Sequence, residues 1–457
     1  METAWEKYKG KDIKKVMDFS EDYKKFLDNS KTERESVTSS IVLAKKAGFK
    51  DFKEVKKLKE GDRIYFNNRG KSLALFVIGK QPLEKGMNIL GAHIDSPRLD
   101  VKQHPFYEDN GLALIDTHYY GGIKTYQWVC QPLALHGVVC KKDGTTVEIK
   151  IGEKDSDPIL EISDLLIHLS HDQMQKSADK IIDAEDLNAL CGSIPKDKAK
   201  KEDKDIVKAN ILGLMKKEYG IEEDDFISAE LELVPAGKAR DLGFDRSMIM
   251  AYGHDDRICA YTSLEAVLDI KTCNKTAVCI LTDKEEIGSV GSTGAHSTFF
   301  ENCVADLINL QGTYSDLKVR HALENSSMLS SDVSAAYDPN YPHVNEKKNT
   351  AYFGKGICFN KYTGSRGKSG SNDAHAEFIA KVRKIMDDNK ISFQTAELGK
   401  VNQGGGGTIA YILANCNMDV MDAGIAVQNM HACYETASKV DVYEAYLAYR
   451  AFLKEMK

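Results

Sequence analysis

Five short motifs, each downstream of an apolar run, hold the residues of this chain that could do chemistry. They are Gly91-Ala92-His93-Ile94-Asp95-Ser96-Pro97, Gly253-His254-Asp255-Asp256-Arg257, Thr282-Asp283-Lys284-Glu285-Glu286-Ile287-Gly288, Ser331-Asp332-Val333 and Met430-His431-Ala432. Imidazole and carboxylate together make an N/O ligand set suited to zinc, with cobalt or manganese able to fill the same shell. Two such cations activate water for hydrolysis, and one carboxylate must stay off the metal to move the proton.

Each motif also has a plainer reading. His93 and Asp95 sit two apart on a strand-like run and so share a face, which lets Asp95 orient a metal-bound His93; a hydrogen-bonded core histidine is the alternative. Asp255 and Asp256 stand between a strand and a helix. A carboxylate can bridge two cations where imidazole cannot, while an aspartate before a helix commonly caps it, so we expect Asp255 to bridge and Asp256 to cap. Glu285 and Glu286 follow the apolar run 277–281, and as neighbours they point apart, so one can bind metal while the other faces water. Asp332 alone reads as a cap and His431 alone as a core histidine. Together the set makes two three-ligand groups sharing one bridge.

The elements that must position these residues follow from patterning. Residues 72–79, 87–93, 248–252 and 276–281 read as strands and 258–270, 374–386 and 440–457 as helices, an α/β alternation whose strands deliver ligands at their carboxyl ends. The first fifty residues read as amphipathic helices, with Thr32 and Glu35 spaced as a capping box. Between 101 and 236 the texture changes to short β-like runs such as 133–140 and 146–151, an inserted β-rich domain. Its mixed-charge stretch 195–208 reads as solvated loop or helix.

Composition excludes several function classes. The chain has 457 residues, 62 basic and 69 acidic, for a formal charge of −7, with 42% hydrophobic and 29% charged residues. That length favours two domains, and the charge offers nothing to a phosphate backbone, so no nucleic-acid partner is expected. No apolar run approaches the ~20 residues of a membrane span, and the N-terminus lacks a secretory layout, so the expected location is cytoplasmic. Ten scattered cysteines without a Cys-x-x-Cys pair read as reduced thiols.

In order and spacing these motifs resemble the M18 family of metallo-aminopeptidases, the aspartyl aminopeptidase group, over essentially the whole chain. The resemblance implies an α/β zinc-exopeptidase-like three-layer catalytic domain (1–100 and 237–457) with an inserted β-rich dimerisation domain (101–236). It implies two zinc ions per subunit, one on His93, Asp255 and Asp332, the other on Asp255, Glu286 and His431, with Glu285 as general base and Asp95 orienting His93. His168 resembles a histidine lent to a neighbouring subunit's site, and Lys361 one that meets an acidic substrate side chain. The expected partners are peptide substrates and further copies of the chain, in a tetrahedral dodecamer built from dimers.

Two stretches depart from the family pattern. They are Ser334-Ala335-Ala336, where a histidine is common, and 363–371, and they leave the preference open between acidic and neutral N-terminal residues. The run Gln403-Gly404-Gly405-Gly406-Gly407-Thr408 lacks the Gly-Lys-Ser/Thr ending of a P-loop and resembles the family's substrate loop. Two other readings remain: a two-metal carboxypeptidase or deacylase, and a non-catalytic metal-dependent scaffold.

Overall fold

Strands that are buried along their whole length must be covered on both faces, and the longest runs of that kind among the described residues are Ser72–Val77, Met87–His93 and Thr276–Thr282. The structure, a computed structural model, describes residues 3–198, 200, 202–312 and 314–457. It divides into two compact units, Met1–Asp95, Ala239–Met430 and Glu435–Lys457 in the first and Ser96–Lys238 and His431–Tyr434 in the second.

The first unit opens with helices α1 (Lys11–Asp28) and α2 (Glu33–Lys46), then strands β1 (Lys50–Asp51), β2 (Arg63–Asn68), β3 (Ser72–Val77) and β4 (Met87–His93). Thr32 starts α2 as its pattern predicts: its Oγ1 accepts from Glu35 N at 3.2 Å, and Glu35 Oε2 accepts from Thr32 N at 3.3 Å.

The second unit is a six-stranded antiparallel sheet. Its strands are β5 (Arg98–Asp109), β6 (Leu112–Tyr120), β7 (Leu133–Cys140), β8 (Thr146–Ile151), β9 (Ala189–Gly192) and β10 (Ala229–Pro235), in the order β8-β7-β10-β5-β6-β9. It also holds a helix that the β-like texture concealed, α3 (Ile206–Tyr219). Apolar periodicity along α3 is weak. Its start is held from a distance instead, by Glu108 Oε2 accepting from Val207 N and Lys208 N at 2.8 and 3.0 Å. Of the charged stretch 195–208, residues 199 and 201 lie outside the described residues.

Back in the first unit come β11 (Arg240–Leu242), β12 (Met248–Ala251), α4 (His254–Leu268), β13 (Thr276–Thr282), α5 (Phe299–Leu310), α6 (Asp316–Glu324), β14 (Ser327–Ser330) and β15 (Ser334–Ala335). Then follow β16 (Ile357–Asn360), α7 (Ala376–Asp388), β17 (Phe393–Thr395), α8 (Ala410–Ala414), β18 (Asp419–Gly424), β19 (Ala426–Gln428), β20 (Glu435–Ser438) and α9 (Lys439–Glu455). A nine-stranded mixed sheet runs β1-β2-β3-β13-β4-β14-β18-β16-β17, and a smaller sheet runs β11-β12-β20-β19-β15.

The strand period of two sorts the core into layers. Leu73, Leu75, Leu90, Cys279 and Leu281 pack on one side with α4, α7 and α9; Ala74, Phe76, Ile89, Val278 and Ile280 pack on the other with α5, α6 and α8. This is the three-layer α/β architecture that the sequence implies. Asn88, buried in β4, donates to Leu453 O at 3.1 Å and Met456 O at 2.9 Å and so ties the end of α9 to the sheet. Among the described residues no helix is long and apolar enough to cross a membrane.

Candidate active site

Register brings the ligands together. Strands β13, β4, β14 and β18 are parallel neighbours, with Thr282 beside His93 and Ser330 beside both Gly91 and Asp422, so the chain leaves all of them at one carboxyl edge. His93 closes β4, Glu285 and Glu286 come three and four residues after β13, and Asp332 comes two residues after β14. Asp255 enters from the smaller sheet, where Gly253 takes φ 75° at the head of α4, a conformation that L side chains resist. Gly424 runs so close to Asp332 that a Cβ would lie 1.6 Å from its carbonyl oxygen.

His93 Nε2 lies 3.2 Å from Asp255 Oδ1 and 4.0 Å from Asp332 Oδ1. Two sets have donor atoms mutually within 4.8 Å: His93, Asp256 and Asp332, and His93, Asp255 and Glu286. The helix-cap reading of Asp256 is corrected here. Its φ/ψ is non-helical and both carboxylate oxygens are buried without a hydrogen-bond partner, so it satisfies no helix N–H. Neither set contains His431. That residue falls in the second unit, at φ 65°, with Nδ1 2.7 Å from Gly122 O.

Asp95 does more than the sequence assigns it. Fully buried, it faces His93 Nδ1 with Oδ1 at 3.3 Å, while its backbone carbonyl lies 3.0 Å from the same nitrogen. Its two oxygens also accept from Glu285 N and Glu286 N, each at 3.2 Å. One carboxylate thus sets the histidine ring and the glutamate turn together. Glu435, which the sequence did not single out, is buried in β20 and accepts from Asp255 N at 2.9 Å. Its signal was a lone acid among buried strand positions.

The electrostatics call for cations. Burial pushes the Asp256 carboxyl well above the usual range, with Asp255 adding to the rise and His93 opposing it; burial and then Asp256 do the same to Asp332. For His93 burial favours the neutral ring, but Asp255 and Asp95 outweigh it and hold its pKa well above the ordinary value. So many buried acids cannot all ionise unaided, and divalent cations would let them. The orphaned Asp256 oxygens and the N/O donor set fit such a group.

A second cluster lies around the glycine-rich run. Thr408 Oγ1, at the end of the glycine-rich run, donates to Asp422 Oδ1 at 2.6 Å; burial pushes Asp422 up to about 7. Gly364 N donates to Gly406 O, so this loop lies along 364–365. Lys361 is half exposed and already engaged: it pairs with Asp373, donates to Ala374 O at 3.1 Å, and shares Asp373 with Lys368 at 3.1 Å. His168 is exposed on a single turn, Ile167–Leu169.

The fold is that of an α/β exopeptidase, and the family model described as aminopeptidase I zinc metalloprotease (M18) matches residues 26–453. The chain belongs to the M18 family of metallo-aminopeptidases, hydrolases that act on peptide bonds. It is 59% identical over 454 residues to a "probable M18 family aminopeptidase 1" of Clostridium acetobutylicum, covering 98% of this chain and 97% of that one. The solved M18 aminopeptidase of Thermotoga maritima superposes with a TM-score of 0.95 at 42% identity, over 100% of this chain and 99% of that one. A yeast structure, the mApe1 dodecamer, shares the fold at a TM-score of 0.77 and 22% identity, over 96% and 97% of the two chains.

Proposed function

We propose that this aminopeptidase works with two divalent cations, zinc by preference, and that Glu285 is its general base. The observation that carries the reading is the convergence of His93, Asp255, Asp256, Glu286 and Asp332 at one buried carboxyl edge, with Glu285 beside them on the same turn. We assign His93, Asp255 and Asp332 to one ion and Asp255, Glu286 and His431 to the other, with Asp256 lining the first set. Bound there, the cations would supply an acidified water and a polarised scissile carbonyl.

The chain's own residues do the rest. Glu285 takes the proton of the attacking water and passes it to the leaving amine, a transfer that needs its carboxylate held still. Asp95 supplies that restraint through the Glu285 N–H. In the glycine-rich run, Gln403 N and Gly404 N already donate to Lys400 O, so the backbone N–H groups of 405–407 are the ones offered to the oxyanion. Glu285→Gln is expected to keep its metal, measured by elemental analysis, and to lose activity by a factor on the order of a thousand or more against a panel of aminoacyl anilides. Activity retained at full metal content would end Glu285's role. A chelator should abolish turnover of the native protein, and added zinc should restore it.

We read the preferred N-terminal residue as neutral rather than Asp or Glu, because the Lys361 ammonium is already paired with Asp373. Asp373→Asn, which frees Lys361, is then expected to raise kcat/KM for a glutamyl substrate relative to a leucyl one by about two- to tenfold. An unchanged ratio would count against Lys361 as a specificity group. We also read the chain as a homo-oligomer of the tetrahedral dodecamer type, with residues 96–238 making the dimer contact and His168 reaching a neighbour's site. Support comes from the apolar run around His168, where Leu165, Leu166, Ile167 and Leu169 are all exposed. Ten free cysteines fit a reducing cytoplasm.

A further inference from the structure

Behind the glutamate turn lies a cluster of buried charge that neither the metal assignment nor the proton transfer uses. Asp283 follows β13 directly and is 1% exposed; Thr293 Oγ1 donates to its Oδ2 at 2.6 Å. Glu33, the first residue of α2, is fully buried. Between them comes Lys71, from the turn joining β2 and β3: its Nζ is 3.0 Å from Glu33 Oε1 and 3.9 Å from Asp283 Oδ2, with a side chain only 14% exposed. Burial, then the charges of Glu33 and Asp95, push Asp283 up to about 6, while Lys71 and Thr293 pull the other way. Asp283 also heads the glutamate turn: its N–H donates to Thr293 O at 3.3 Å, and two residues on the Glu285 N–H donates to Asp95 Oδ1 at 3.2 Å.

We propose that Lys71 is a positioning residue for peptide hydrolysis: its ammonium balances Glu33 and Asp283, so that Asp283 stays placed at the head of the turn whose Glu285 and Glu286 N–H groups meet Asp95. The reason is electrostatic. Two carboxylates in a dry region repel one another, and a cation set between them lets them stay packed where they are. Without it, Asp283 retreats from Glu33 or the region admits water; either way the glutamate turn loses its placement. Outer partners of metal ligands commonly act in this way, through the geometry of groups they do not touch. The inference rests on the reading of Glu285 and Glu286 given above.

The test is a charge-swap series in the metal-loaded enzyme, reading kcat, KM and zinc affinity by competition with a chromogenic chelator. Lys71→Met is expected to lower kcat about 10- to 100-fold and weaken zinc about tenfold, with KM within about threefold of native. Lys71→Arg, which keeps the charge, should retain most of both. Lys71→Met/Asp283→Asn removes one charge of each sign and should recover about fivefold or more of the lost kcat. If Lys71→Met does not fold, the double variant must fold and turn over. The proposal is overturned by a Lys71→Met enzyme within about twofold of native in kcat and zinc affinity, by an Arg variant no better than Met, or by a double variant no better than the single. Glu285→Gln assayed alongside separates the two layers: an active Glu285→Gln enzyme overturns both readings, whereas an inactive one beside a native-like Lys71→Met enzyme overturns only this one.

Discussion

Single residues in this site are made functional by partners far away in the chain. Asp95 reaches the amides of residues 190 and 191 positions ahead, and Glu435 supports Asp255 from 180 positions away. We expect Asp95→Asn to lower kcat by about 10- to 100-fold, because an amide offers one acceptor oxygen where two backbone N–H groups are now met. Steady-state kinetics at full zinc content checks this, and a loss confined to KM would contradict it. At this scale the residue types were readable: His93, Asp255, Glu286 and Asp332 are metal-competent and are found together. The role of Asp256 was not, since local sequence cannot tell a helix cap from a carboxylate that the fold turns away from the helix.

Elements carry the next layer of consequence. Helix α4 begins at the site with Asp255 and Asp256 and is buried along nearly all its length, so its one half-exposed acid, Glu265, is costly when charged. Burial, then Asp22 and Asp269, push Glu265 up to about 7. A carboxyl whose folded pKa is raised binds its proton more tightly in the native state, so its contribution to stability is complete below the unfolded value and disappears as pH rises through 7. Glu265→Gln should therefore gain on the native protein between about pH 5 and pH 8, by roughly 1–2 kcal/mol after allowing for solvent screening. Denaturant midpoints across that range measure it, and a pH-independent difference would refute it. The α/β alternation and the Thr32 cap were legible because they rest on local periodicity. Helix α3 was not, because Glu108 on another strand caps its start.

For the whole molecule, the open question is assembly. Ile167→Asp places a charge in the exposed apolar run of the second unit and should split the proposed oligomer, at a cost of several kcal/mol per contact broken. Light scattering coupled to size exclusion reads the mass. If the native protein and this variant elute at the same mass, the run is not an interface. His168→Ala, assayed in the intact assembly, then asks whether that histidine serves a neighbouring site.

The sequence by itself determined an inventory: imidazoles and carboxylates of the kind that can hold divalent cations, two adjacent glutamates, an α/β alternation and a β-rich interruption. Residue type and local period are enough for that, because ligand hardness and side-chain direction on a strand are local properties. Only the tertiary structure decided how the inventory is wired. The parallel register of β13, β4 and β14 sets which strand ends meet, and the approach of Gly424 to Asp332 sets how tightly. The burial of Asp283 and Glu33, with Lys71 set between them, decides which charges must balance, because Coulomb energy depends on distance in space and on the dryness of the surroundings, and spacing along the chain records neither.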